Sequence, residues 1–194
     1  PDLVVGNDSA SYDAKEAYYK TILGFESKEK MAEAFVADYN EMIASISKYG
    51  GFYIGRYELS SKGVQKNQPA IRLINWYELY IKCKELKASN KVESRMIWGC
   101  QWDATCQFIA NKGEQKDVNN SSSWGNYSDS TAPANTGNYE QETESEVGED
   151  VSFETAVVKN TGSNEAWKAN NIYDLAGNRS EWTQEANHDR FTSF

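Results

Sequence analysis

The sequence predicts an α+β fold with two or three helices, short antiparallel strands and much irregular loop. Apolar residues recur at helical spacing in two segments, 27–49 and 75–88. Residues 51–59 instead place strand-forming side chains between glycines. The chain has 194 residues and is 39% apolar, which is enough for one domain with a hydrophobic core. We therefore expect a single domain, 1–194, with a helical N-terminal part up to residue 49.

The first helix has clear signals at both ends. Ser27 is a typical N-cap residue, and Gly50 and Gly51 predict that the helix ends at Tyr49. A stripe of apolar residues lies between these ends and predicts a core-facing side: Met31, Phe35, Tyr39, Met42, Ile43 and Ile46.

The middle of the chain continues the pattern. We expect a strand over 51–59, a polar loop over 60–70 and an amphipathic helix over 75–88. A third apolar segment, 96–109, predicts a short turn followed by a buried helix. Three cysteines fall in these helices and are expected to act mainly as small buried hydrophobic residues: Cys83, Cys100 and Cys106.

Residues 111–150 are rich in Asn, Ser, Gly and Thr and then become acidic, a composition that predicts no core. Such a stretch is either a functional loop or a mobile insertion. The aromatic residues Trp124, Tyr127 and Tyr139 stand among polar neighbours, a composition that suits adaptable recognition, so they are candidate ligand-binding residues. A short strand is expected over 151–158.

Charge excludes some classes of partner. The formal net charge is −9, which argues against binding to nucleic acid or to anionic membranes. No apolar run approaches the roughly 20 residues of a membrane span, so membrane insertion by this chain is not expected.

Three segments together resemble one known family. Residues 51–58 read GFYIGRYE, residues 95–103 read RMIWGCQWD, and residues 171–182 read NIYDLAGNRSEW. They are similar to motifs of the formylglycine-generating-enzyme (sulfatase-modifying factor) family, a branch of the C-type lectin fold. The third segment is the most specific, and the resemblance covers roughly residues 50–183. It implies a C-type-lectin-like fold in which the family's closing C-terminal strands are either missing from this chain or replaced by a different closure.

The resemblance does not extend to the family's chemistry. Its oxidases use a copper-binding cysteine pair late in the domain, and no cysteine follows Cys106. Related sulfoxide synthases use several histidines, whereas this sequence has only His188. No catalytic residue is assigned, and the expected function is non-catalytic binding of a ligand. Two alternatives stay open: an oxidoreductase whose catalytic C-terminal segment is absent from this chain, and a structural spacer.

The resemblance also implies a calcium site. In the family, the loop of the third segment commonly holds calcium, which prefers six to eight oxygen ligands. The corresponding ligands would be the carboxylates of Asp174 and Glu181 and the main-chain carbonyls of Gly177 and Arg179. The alternative is a loop held by side-chain hydrogen bonds to its own backbone.

A departure from the motif points to a binding surface. Arg179 and Ser180 occupy positions where the family has an apolar and a large aromatic residue. Variable proteins of diversity-generating retroelements share this branch of the fold and vary surface residues near the chain's end. By this resemblance, Arg179, Ser180, His188 and Arg190 are candidate ligand-binding residues on a diversified surface. The implied partner is a protein or glycan, and the implied location is extracellular, on a bacterial surface or on a phage particle.

Overall fold

The computed structural model describes residues 20–72, 74–86, 92–127, 140–146, 149–155 and 159–184. Within these residues the fold is α+β, as predicted, with three helices and three two-stranded antiparallel sheets. None of the described helices is long and apolar enough to cross a membrane.

The elements follow the chain in this order: α1 (Lys28–Tyr49), β1 (Leu59–Ser60), β2 (Gly63–Val64), α2 (Trp76–Glu85), α3 (Gly99–Asn111), a 3₁₀ turn (Ser121–Ser123), β3 (Glu140–Glu146), β4 (Glu149–Thr155), a second 3₁₀ turn (Glu165–Trp167), β5 (Lys168–Ala169) and β6 (Ile172–Tyr173). Strand β1 pairs with β2, β3 with β4, and β5 with β6, each pair antiparallel.

The chain divides into two compact units. The first comprises Pro1–Tyr53, Ile74–Gly99 and Trp182–Phe194, and the second comprises Ile54–Leu73 and Cys100–Glu181. Each unit is built from separate stretches of the chain. The prediction of a single domain stays a prediction.

The first unit packs α1 against α2. The Ser27 side chain accepts a hydrogen bond from Lys30 N, and Gly50 takes a left-handed conformation at the other end of α1, so both predicted ends are confirmed. A cluster of buried residues joins the two helices: Met31, Phe35, Tyr80 and Met96. Asp38 is also buried in this unit, and Arg95 Nη1 lies 2.9 Å from its Oδ1, so this buried charge is paired.

The second unit has its own core. Ile109 of α3 packs with Trp124, Ala169 and Ile172, although these residues come from a helix, a polar loop and the strands β5 and β6. The sequence-based expectation that residues 111–150 contribute nothing to a core is therefore wrong at Trp124. The prediction of a buried helix over 96–109 holds only in part for α3, because Phe108 and Cys100 are exposed while Gln101, Thr105 and Ile109 are buried.

One predicted strand is much shorter than expected. Of residues 51–59, only Leu59 lies in a strand, and β1 pairs with β2 inside the segment predicted to be a polar loop. Tyr53 is 98% exposed and Phe52 is also exposed, so the strand-like composition of this segment does not reflect burial in a sheet. By contrast, β4 covers part of the strand expected over 151–158.

Candidate functional site

Asp174 lies at the centre of a hydrogen-bonded network in the second unit. It is 1% exposed and has φ of +55°. Its Oδ1 accepts a hydrogen bond from Asn126 Nδ2 at 2.9 Å. Its Oδ2 accepts bonds from Thr161 Oγ1 at 3.1 Å and from Gly162 N at 2.7 Å. A buried carboxylate is stable only when such donors replace water, so Asp174 ties two other segments to its own loop.

We call residues 171–181 the Asp174 loop. Its backbone runs beside Asn126: Asn126 N donates to Ala176 O, and Asn178 N donates to Asn126 O. Gly177 has φ of +88°, and a Cβ there would lie 2.4 Å from Asn126 O. Only glycine fits this approach without displacement, which explains the glycine of the motif in physical terms.

Thr161 extends the network to the start of the second unit. Its hydroxyl donates to Asp174 and accepts a hydrogen bond from Glu58 N at 3.1 Å. Its backbone exchanges hydrogen bonds with residues 67 and 68. Through this one fully buried residue, the Asp174 carboxylate is connected to the segment around β1 and β2.

Glu58 is held against the same loop by Asn178. Asn178 Nδ2 donates to Glu58 Oε2 and to Lys159 O, while its Oδ1 accepts from Lys159 N. Burial raises the pKa of Glu58 to about 8, and the Asp174 carboxylate adds to the rise against the opposing effects of Asn178 and Arg179. Glu58 therefore carries a proton over much of the range below pH 8.

Glu181, at the end of the Asp174 loop, is a third carboxyl group of this network. Its pKa is raised to about 9, first by desolvation of the carboxyl group and then by the neighbouring Glu58 and Asp174. The residue nevertheless has a large exposed surface, and water there weakens the effect of the shift on stability.

The predicted ligand-binding residues fall into different environments. Trp124 is 4% exposed, and its indole N–H donates to Asp117 O, so it belongs to the core and does not fit the predicted contact with a ligand. Tyr127 is half-buried over Gly125, and its hydroxyl lies 2.8 Å from Ser121 Oγ. Ser180 is exposed and Arg179 is half-buried on the Asp174 loop, as a surface role requires. Tyr139, His188 and Arg190 lie outside the described residues.

Two of the four predicted calcium ligands, the Asp174 carboxylate and the Gly177 carbonyl, already accept hydrogen bonds in this arrangement. Both carboxylate oxygens of Asp174 already accept hydrogen bonds from amide and hydroxyl groups, which would face a cation with their positive ends. The carbonyl of Gly177 accepts a bond from Arg179 N at 2.8 Å. Among the described residues no group of three or more His, Cys, Asp or Glu is arranged to hold a metal. The geometry favours the alternative of a hydrogen-bonded loop, extended to donors from other segments, and calcium binding stays a prediction.

Two of the three cysteines are poor nucleophiles. Burial raises the pKa of Cys83 to about 11 and also raises the pKa of Cys106. Such groups remain protonated at neutral pH, and the thiolate is the reactive form. Cys83 packs against the core of the first unit, as the sequence predicted, whereas Cys100 is exposed.

Sequence reasoning missed the partners of Asp174. Asn126, Thr161 and Gly162 lie 48, 13 and 12 residues away from it. Only Asp174 itself carried a signal, because an Asp before a glycine turn is a common ligand or turn residue. Asn126 and Thr161 are ordinary polar residues in polar loops, so their pairing becomes visible only in three dimensions.

Comparisons of the chain with protein-family models, with curated proteins and with solved structures found no match. The function must therefore be argued from the geometry of the chain itself.

Proposed function

We propose that this chain is a non-catalytic ligand-binding domain of the formylglycine-generating-enzyme branch of the C-type lectin fold, and that Arg179 and Ser180 belong to its binding surface. The observation that carries the proposal is the contrast within the Asp174 loop. Asp174 is buried and bonded to three donors, whereas Ser180, six residues later, is exposed.

A binding surface needs this combination of a fixed base and variable side chains. The side chains of Asp174 and Asn178 hold the loop by hydrogen bonds to other segments, so substitution of either is expected to destabilise the second unit. The Ser180 side chain carries no comparable bond among the described contacts. Substitution there is expected to change what the surface binds without unfolding the unit, which suits a diversified surface.

Exposed aromatic residues favour a binding domain over a spacer. Tyr49, Phe52 and Tyr53 are all exposed, and they fall within five consecutive residues of the first unit. Aromatic side chains are enriched at protein interfaces and supply large contact areas at a small entropic cost. A spacer has no need for such residues on its surface.

The alternative enzyme reading has less support within this chain. Burial keeps the Cys83 and Cys106 thiols protonated at neutral pH, which is unfavourable for thiolate chemistry or for copper binding. A protein or glycan on a cell or phage surface remains the proposed partner, and calcium is not required by the hydrogen bonds that hold the Asp174 loop.

The test is a binding screen with matched surface variants. The purified chain is screened against a defined glycan array and a displayed protein library, and each binder is remeasured with Ser180→Trp and with Gln107→Trp. Both positions are exposed, and Gln107 lies on α3. We expect Ser180→Trp to weaken binding at least about tenfold and Gln107→Trp to leave it unchanged. Equal effects of the two variants, or oxidation of a cysteine peptide by the copper-loaded chain, would contradict the proposal.

A further inference from the structure

Three cationic side chains gather around one tyrosine ring in the second unit. The Arg56 guanidinium carbon lies 5.5 Å from the centre of the Tyr173 ring, Lys66 Nζ lies 5.4 Å from it, and Lys168 Nζ lies 5.8 Å from it. We call Arg56, Lys66 and Lys168 the basic surface. Its charge is opposite to that of the whole chain, which carries a formal net charge of −9. Like charges repel one another, so grouping these three cations is favourable only where a negative charge compensates them.

One carboxylate partly neutralises the basic surface. Glu165 accepts hydrogen bonds of 2.9 Å from both Lys66 and Lys168 and one of 2.7 Å from the Tyr173 hydroxyl. These bonds lower the pKa of Glu165 to about 2, so it is ionised at neutral pH. Arg56 is exposed and forms no ion pair with any described residue. An excess of positive charge therefore remains, and it is greatest at Arg56.

The ring beneath the cations is not available to a ligand. Tyr173 is 2% exposed, its backbone N donates to Arg56 O at 2.9 Å, and its ring is stacked on Tyr57 with 5.1 Å between the centres. Sugars and nucleic acid bases are commonly recognised by stacking on exposed rings. Recognition at the basic surface must therefore depend on charge and hydrogen bonds, a requirement that an acidic peptide meets.

We propose that the basic surface docks an extended acidic peptide segment of a partner protein, with Arg56 pairing one carboxylate and Lys66 or Lys168 pairing another. Because each cation lies within 5.8 Å of the same ring centre, any two of them are at most roughly 11 Å apart, which leaves room for the roughly 7 Å between alternate residues of an extended chain. Arginine binds a carboxylate through two parallel hydrogen bonds, which add geometric specificity as well as energy to the contact. The basic surface shares no residue with the surface proposed around Ser180, so either role can fail without the other.

The experiment measures binding of a labelled acidic peptide, EQETESE, to the full chain by fluorescence anisotropy; the peptide has the sequence of β3 of this chain and serves as an acidic probe of extended conformation. We expect saturable binding that weakens several-fold between about 50 and 200 mM salt, because exposed charges are screened. Arg56→Gln should weaken it about five- to tenfold. Glu165→Gln should strengthen it, because removal of that carboxylate frees Lys66 and Lys168 for the peptide.

The controls separate a specific surface from general attraction. Lys82→Gln removes one positive charge from an exposed position of α2 and should leave peptide binding unchanged. The neutral peptide QQQTQSQ should not bind. Equal weakening by Lys82→Gln and Arg56→Gln, weaker binding after Glu165→Gln, or no saturable binding to EQETESE would each overturn the proposal. Tighter binding of inorganic phosphate or of a sialylated glycan than of the peptide would overturn the choice of an acidic peptide.

Discussion

The buried carboxylate of Asp174 accepts a hydrogen bond of 2.9 Å from the side-chain amide of Asn126, a residue 48 positions earlier in the chain. The backbone of Asn126 also pairs with the Asp174 loop, at Gly177. The polar segment around Asn126, which the sequence predicts to be at the surface, is thereby fixed against the Asp174 loop. The main predictions follow from this pairing.

The charge of Asp174 should be essential for the stability of the second unit. Asparagine, like aspartate, tolerates the positive φ at position 174. In Asp174→Asn, however, an amide NH₂ replaces one of the two acceptor oxygens and faces either the Asn126 donor or the pair of donors from Thr161 and Gly162. We expect the free energy of unfolding to fall by about 2–4 kcal/mol, measured by urea denaturation. Asp103→Asn, at an exposed position of α3, is the matched control and should change little. A stability of Asp174→Asn equal to that of the control would refute the role assigned to Asp174.

Stability should fall as the pH rises through neutrality. The pKa of Glu58 is about 8 in the folded chain and near 4.5 when unfolded, so the folded state holds more protons between these values. The contribution of Glu58 to the free energy of unfolding is therefore fully present below pH 4.5. Between pH 4.5 and pH 8 this contribution decreases by up to about 1.4 kcal/mol for each pH unit. The Asp174 carboxylate and the Arg179 cation are the charged groups acting on it.

Glu58→Gln tests this pH dependence. A glutamine keeps an acceptor for Asn178 but cannot ionise, so the variant should be more stable than the wild type at pH 8 and should show a smaller pH slope. Denaturation curves between pH 5 and pH 9 measure both effects. Glu85→Gln, on the exposed side of α2, should keep the wild-type slope. An unchanged slope in Glu58→Gln would show that Glu58 ionises freely in the folded chain.

Glycine at position 177 should be irreplaceable. Gly177→Ala places a Cβ 2.4 Å from Asn126 O on a backbone with φ of +88°, so either the loop or Asn126 must move. We expect a loss of at least about 2 kcal/mol in the free energy of unfolding, measured by thermal or urea denaturation. Gly51→Ala is the control, because a Cβ there meets nothing within 4 Å. Similar stability of the two variants would mean that the close approach is absent in solution.

Calcium should have little effect on the melting temperature. The hydrogen bonds to Asp174 and Gly177 already satisfy two of the predicted ligands, so calcium would have to displace them. Differential scanning fluorimetry with 1–5 mM calcium (roughly the range of weak extracellular sites) and with a chelator checks this expectation. A clear rise in melting temperature with calcium, abolished by Glu181→Gln, would instead establish the site that the family resemblance implies.

The local structure of the first unit was largely predictable from the sequence. Ser27 and Gly50 define α1 because capping depends on neighbouring residues only, and Asn75 defines the start of α2 in the same way. The segment after α1 was not predictable by composition. Phe52 and Tyr53 have high strand propensity but are exposed, and strand formation depends on a pairing partner that the local sequence does not reveal.

In the second unit, the long-range contacts were not predictable from the sequence. Trp124 was assigned to a surface because its neighbours are polar, yet it is buried by Ile109 and by residues from β5 and β6. The motif draws attention to Asp174 as a metal ligand but gives no sign of its hydrogen-bond donors, because Asn126 and Thr161 carry no sequence pattern that connects them to it. Long-range pairing of polar residues is a property of the folded chain alone.

Randomisation separates a hydrogen-bonded base from a replaceable surface. Each of residues 174–180 is fully randomised in a display library, and the folded fraction is measured by resistance to protease. Most substitutions at Ser180 should remain folded, whereas almost all at Asp174, Gly177 and Asn178 should be lost. Loss of folding at Ser180 as severe as at Asp174 would contradict this separation, because the residue proposed to meet the ligand would then be part of the scaffold.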